Sequence, residues 1–167
     1  MMVRRSVPAG LVLLVFCTAG CESGGRNYRG PRIQTVSILR SANPWLNMDA
    51  VRDEKPEGIQ FRIFLIPQNE HRGVLVPGTF IVDMYYRGRD AQGEVSREKI
   101  TTFSAPTRTL PHKRHPTTLG QYYVMRLSWA PHDVLEREVE FIVSYEDPAG
   151  RKTFGQPIRI IVPKEVF

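Results

Sequence analysis

From Ile33 onward, apolar residues recur along the chain with a period of two. Residues 58–67 (GIQFRIFLIP) place Ile59, Phe61, Ile63 and Leu65 on one face, while Phe64 and Ile66 add apolar mass to the other. Residues 78–87 (GTFIVDMYYR) set Phe80, Val82, Met84 and Tyr86 against Thr79, Asp83 and Arg87. Residues 121–129 do the same with Tyr123, Met125, Leu127 and Trp129, and residues 139–145 with Val139, Phe141, Val143 and Tyr145. Successive side chains of a strand point to opposite faces, so this alternation predicts strands with one buried side. Shorter candidates at 33–39, 99–103 and 158–162 bring the total to about seven strands. Turns are predicted at 41–44, in the GRDAQGE run that begins at Gly88, and at 147–150 (DPAG), where Gly, Pro and Asp meet the backbone demands of tight turns. Residues 133–140 (DVLEREVE) form the best helix candidate, of one or two turns.

No stretch carries the spacing of a long amphipathic helix. The economical architecture for 33–167 is one all-β domain, an antiparallel β-sandwich of immunoglobulin-like or fibronectin-like type. A closed barrel is the alternative, since strand count and alternation do not separate the two. The Cys–Trp–Cys signature of immunoglobulin domains is absent. With 167 residues, 41% of them hydrophobic and 24% charged, the chain suits a single globular domain and excludes wholesale disorder.

The N-terminus breaks the pattern. Arg4 and Arg5 precede an apolar run over 7–16, and the small residues Thr18, Ala19 and Gly20 lead into Cys21. The run is shorter than the roughly 20 residues that span a bilayer, and its order of charge, apolar stretch and small residues is that of a secretory signal. The TAGC sequence resembles the lipobox of bacterial lipoproteins, with Thr18 standing where that family usually has Leu. The resemblance implies a signal peptide over 1–20, cleavage before Cys21, and acylation of that cysteine. Ordinary signal cleavage near Ala19 is the alternative. Cys17 would leave with the signal, so no intramolecular disulfide and no Cys-based metal site is expected. Residues 21–32, rich in Gly and charge, are expected to act as a flexible tether.

Candidate chemistry in the body is sparse. His112 and His115 share a His-x-x-His spacing in PHKRHP, but Lys113 and Arg114 between them oppose a cation, so no metal and no cofactor is expected. Glu136, Glu138 and Glu140 would share one strand face, read as the solvent side of an edge strand. No nucleophile elbow, P-loop or dinucleotide fingerprint occurs, and no enzymatic activity is expected. In the pairs Tyr85–Tyr86 and Tyr122–Tyr123 one ring must point outward; Tyr85 and Tyr122 are the outward members and the candidate ligand-binding residues. They would stack on a sugar or a Pro-rich peptide, or else serve as cross-strand pairs. Trp45 is expected to plug an end of the sandwich. The formal net charge of +6 falls to +4 once Arg4 and Arg5 leave, with basic residues scattered, which suits anionic surroundings and argues against nucleic acid. The expected function is that of a non-enzymatic envelope lipoprotein, held on the membrane through Cys21 and binding a protein partner. The alternative is a carbohydrate- or peptidoglycan-binding module. Glu22 after Cys21 only partly fits an inner-membrane retention signal, which leans the expectation towards the outer membrane.

Overall fold

The computed structural model describes residues 28–48, 54–89 and 91–166. In chain order the strands are β1 (Ile33–Leu46), β2 (Gly58–Pro67), β3 (Thr79–Arg89), β4 (Val95–Pro106), β5 (His112–Arg114), β6 (Gln121–Ser128), β7 (Glu138–Glu146), β8 (Lys152–Phe154) and β9 (Ile158–Ile161). They form two antiparallel sheets. One runs β1-β2-β6-β5, and the other runs β4-β3-β7 with β8 and β9 both on the far side of β7. Because β8 pairs with one end of β7 and β9 with the other, these two short strands share one edge position.

The period-two pattern decides which sides meet. Ile59, Phe61, Ile63 and Leu65 of β2, with Tyr123, Met125 and Leu127 of β6, face Phe80, Val82 and Met84 of β3 and Val139, Phe141, Val143 and Tyr145 of β7. All are nearly inaccessible to solvent. Rings cross the interface edge to face, Phe61 on Phe141 and Phe80 on Tyr123, each with centroids 5.3 Å apart. At roughly 2 kcal/mol for each large apolar side chain taken from water, this layer supplies most of the stabilisation. Trp45 closes one end, edge-on to Trp129 at 6.4 Å, while Trp129 Nε1 donates to the Pro56 carbonyl.

Nine strands are present among the described residues, where about seven were expected. β5 and β8, of three residues each, are too short for alternation to register. The turn expected at 41–44 is instead an irregularity within β1, where pairing with β2 shifts between Arg40 and Trp45 and the strand continues to Leu46. β4 outruns the predicted 99–103 because backbone pairing with β3 extends it through residues that are almost all polar or exposed. The helix candidate 133–140 is a turn followed by the start of β7. Val139 belongs to the inward row with Phe141, and Glu136 adopts φ 60° at the turn.

The crossing from β2 to β3 is pinned by two tyrosine hydroxyls. Tyr123 Oη accepts from Val76 N at 2.7 Å and donates to Val76 O at 2.9 Å, and Tyr145 Oη donates to Pro77 O at 2.6 Å. Just before it, Gly73 is wedged between the ends of β2 and β6: Gly73 N donates to Leu119 O, Gln121 N donates to Gly73 O, and Val74 N donates to Leu65 O. Gly120 faces this wedge at φ +85°, and a Cβ there would lie 2.5 Å from Gly73 O. Gly93 has nearly the same φ, +84°, but open space around it. Gly120→Ala is therefore expected to lose about 2 kcal/mol or more, and Gly93→Ala only about 1 kcal/mol, in urea unfolding. Equal losses would show that dihedral strain alone matters at Gly120.

Candidate functional site

Outward side chains of the five-stranded sheet form a lattice of ion pairs. Glu140, on the interior strand β7, is fully buried between two arginines, one reaching it from each side of the strand. Arg97 of β4 reaches diagonally across β3 to place Nε 2.6 Å from Oε2, and Arg159 of β9 places Nε 2.8 Å from Oε1. This corrects the expectation of a solvent-facing glutamate on an edge strand. Register along a strand does not reveal which strand is central, and the covering arginines lie far away in sequence. Arg87 pairs with Glu138 at 2.8 Å, and Lys99 with Asp83 at 2.7 Å. Burial works against the Asp83 carboxylate, but hydrogen bonds from Lys99 and Thr102 outweigh it and hold its pKa below the ordinary value. Tyr85 stands in this lattice, in register with Lys99 and Glu140, with Lys99 Nζ 6.0 Å from its ring centre.

The outward side of the four-stranded sheet differs in kind. Phe64, Tyr122 and Val124 form a second, smaller apolar cluster there, all three buried. The His115 ring stands edge-on to Phe64 and Tyr122 at 6.0 and 6.1 Å, and the Arg62 guanidinium lies 5.7 Å from the Tyr122 ring centre. Arg126 donates to Gln60 Oε1 at 3.0 Å. Strands β1, β2, β5 and β6 contain no Asp or Glu, whereas they carry Arg40, Arg62, Lys113, Arg114 and Arg126. A ring pair on β2 and β6 was foreshadowed by the extra apolar residues Phe64 and Ile66; the acid-free composition of the sheet became visible only when its four strands were assembled.

Tyr85 and Tyr122 thus occupy opposite outer faces of the sandwich, because β3 and β6 belong to different sheets. The structure does not bring them into one platform. Tyr122 is 7% exposed, its ring covered by Arg62 and His115, while Tyr85 is half-buried among ion pairs. His112 and His115 diverge: His112 sits on the exposed edge strand β5, and His115 Nδ1 lies 2.7 Å from Thr117 Oγ1. No group of three His, Cys, Asp or Glu among the described residues could hold a metal ion. Cys21 lies outside the described residues.

Two open grooves of about 520 and 580 Å³ flank Phe154, where the β8–β9 edge faces β1. Val36 bridges to Gly155 between them, and a Cβ on Gly155 would lie 2.9 Å from Val36 O. At the adjoining corner Asp147 Oδ1 accepts from the N–H groups of Ala149 and Arg151, and its Oδ2 lies 2.6 Å from Arg151 Nε. Burial opposes the charge, yet these bonds hold the Asp147 pKa below the ordinary value. Burial, with Tyr28 and Asp147 nearby, pushes the Tyr145 hydroxyl far up. No family model, curated protein or solved structure matches the chain.

Glu140→Gln is expected to cost about 1–3 kcal/mol in urea unfolding, the lower end applying because both arginines keep half their surface in water. Arg97→Ala and Arg159→Ala should each cost less, since the other arginine still holds the carboxylate. A combined loss equal to the sum of the single losses would dismiss the clasp. Asp83 and Asp147 have depressed folded pKa values, so their stabilisation is present above about pH 4 and is lost as pH falls through the folded values. Asp147→Asn keeps an acceptor in the turn and should flatten the fall of stability between about pH 5 and 3. An unchanged pH slope would remove Asp147 from the account.

Proposed function

We propose that the chain is a lipid-anchored envelope protein whose β domain serves as a non-enzymatic binding or structural module. The observation that carries this reading is the order before the domain: Arg4 and Arg5, an apolar run, Thr18-Ala19-Gly20 and then Cys21. A peptidase acting after Gly20 would leave Cys21 as the new N-terminus, and two or three acyl chains there would hold the protein on a membrane essentially permanently. The segment between Cys21 and Ile33 would link the anchor to β1. With Glu22 rather than Asp after the cysteine, the outer membrane is the favoured location.

The domain is proposed to be of immunoglobulin-like type. Support comes from strand order, since β1-β2-β6-β5 against β3-β7-β8/β9 follows the A-B-E-D and C-F-G arrangement, with β4 added beside β3. The non-enzymatic part of the reading is supported by what the polar groups already do. Glu138, Glu140, Asp83 and Asp147 are engaged by cations on neighbouring strands or within their own turn, and His115 is engaged by rings and by Thr117. Such domains hold partners through faces and loops, with function carried by the surface rather than by the fold.

Mass spectrometry of the membrane fraction tests the anchor. The mature N-terminal peptide is expected to begin at Cys21 and carry acyl mass, and Cys21→Ser is expected to accumulate precursor or misprocessed soluble protein while the β domain still folds. A mature peptide with a free cysteine overturns the reading.

A further inference from the structure

The charges of this domain are divided between its two sheets. On the five-stranded sheet, cations and carboxylates neutralise one another in place, through Arg87–Glu138, Arg97–Glu140–Arg159, Lys99–Asp83 and Lys152–Glu146. The four-stranded sheet has cations and no carboxylate in any strand. Its pairing register puts Leu39, Arg62 and Val124 in one outward row, Phe64, Tyr122 and Lys113 in the next, and Arg126 beside Gln60. Arg62 and Arg126 are met by a ring and an amide, neither of which cancels charge.

We propose that this outward face of the four-stranded sheet lies on an anionic lipid bilayer, so that anchoring fixes the domain with its basic sheet down. The proposal rests on the lipid-anchor reading. Three observations select a bilayer over other polyanions. The cations are spread over an extended sheet face with an apolar floor, rather than lining a cleft that would follow a polymer. Apolar side chains are exposed on or beside the same face: Leu39 at 40%, and Leu119 at 44% in the loop joining β5 to β6. The chain also enters the domain on this sheet, since β1 is one of its edge strands. Residues 21–32, at no more than about 3.5 Å apiece, keep Ile33 within about 40 Å of Cys21, so the same bilayer is always in reach. Basic residues near an anionic leaflet add attraction that decays within a Debye length, and tethering makes even a weak attraction sufficient to orient the domain.

Lysine footprinting tests the proposal with the full chain purified from membranes and returned to vesicles. Two lipid compositions are compared, phosphatidylcholine alone and phosphatidylcholine with about one third phosphatidylglycerol, and intact mass is read on the same sample. Lys113 belongs to the basic face, whereas Lys99 and Lys152 lie on the opposite sheet and serve as internal controls. Lys113 is expected to be acylated at least threefold more slowly on the anionic vesicles, with Lys99 and Lys152 unchanged. The protection should vanish at about 0.5 M salt and in the Arg62→Glu/Arg126→Glu variant, whose thermal unfolding confirms that it is folded. Acylated Cys21 with Lys113 equally reactive on both vesicles overturns the orientation and leaves the anchor reading standing. An intact mass without acyl chains overturns the anchor reading; flotation on the same vesicles then decides the face, with binding to the anionic vesicles alone sustaining it and its absence overturning it. Protection of Lys113 by soluble heparin but not by the anionic vesicles assigns the face to a polymer and overturns the proposal.

Discussion

Everything in this domain depends on two sheets sharing one apolar interface. Each strand can offer only one of its two sides to that interface, and the register of β2 with β6 and of β3 with β7 fixes which side it is. A slip of one residue would turn Phe61, Phe141 and their rows into water and bring Arg62 and Glu140 inside. The chain must also pass between the sheets several times, and each passage exposes backbone that no ladder satisfies. At the β2–β3 passage the deficit is met from within the core. Tyr123 and Tyr145 contribute their rings to the interface and their hydroxyls to Val76 and Pro77, so the same two side chains fill the core and complete the backbone's hydrogen bonds.

Once the inner sides are committed, the outer sides must be solved separately, and the two sheets solve theirs differently. The five-stranded sheet tolerates a buried carboxylate at its centre because arginines arrive from both flanks. The attraction of the two guanidinium groups offsets the cost of taking the carboxylate out of water. The four-stranded sheet buries Phe64, Tyr122 and Val124 instead, with the Arg62 guanidinium over the Tyr122 ring and the His115 ring edge-on to Phe64 and Tyr122. A guanidinium is well suited to such a position, since it can lie over an aromatic ring and still keep N–H groups available to water.

The strand interiors were legible in the sequence because alternation is a local property. Residues 58–67 and 121–129 announced themselves as strands through the same rows that form the core. What escaped was whatever depends on neighbours distant in sequence. β4 and β5 are held by ladder pairing to β3 and β6 and have little apolar pattern of their own. Glu140 looked like a solvent-facing residue because its burial is supplied by Arg97, 43 positions earlier, and Arg159, 19 positions later. Tyr85 and Tyr122 lie on outer faces, yet their separation onto opposite sides of the molecule follows from the order of strands in the sheets, which alternation does not encode.

The open edges bear on where a partner could sit. An edge strand offers unpaired backbone groups to any passing strand, and its sequence decides whether that offer is taken up. β4 begins with five exposed residues, among them Arg97, Glu98 and Lys99, and Arg97 and Lys99 are drawn back over their own sheet by Glu140 and Asp83. β5 is three residues long and bounded by Pro111 and Pro116, too short to template an incoming strand. On the remaining side β1 leans across to Gly155, and a glycine at that point lets the backbones approach closely enough to narrow the gap between the sheets. With β4 blunted by charge, β5 by brevity and β1 by its contact with Gly155, recognition by strand addition is disfavoured at these three edges. The outer sheet faces are the broad surfaces that these edges leave open. Of the two faces, the one whose charges are not already spent on each other belongs to the four-stranded sheet.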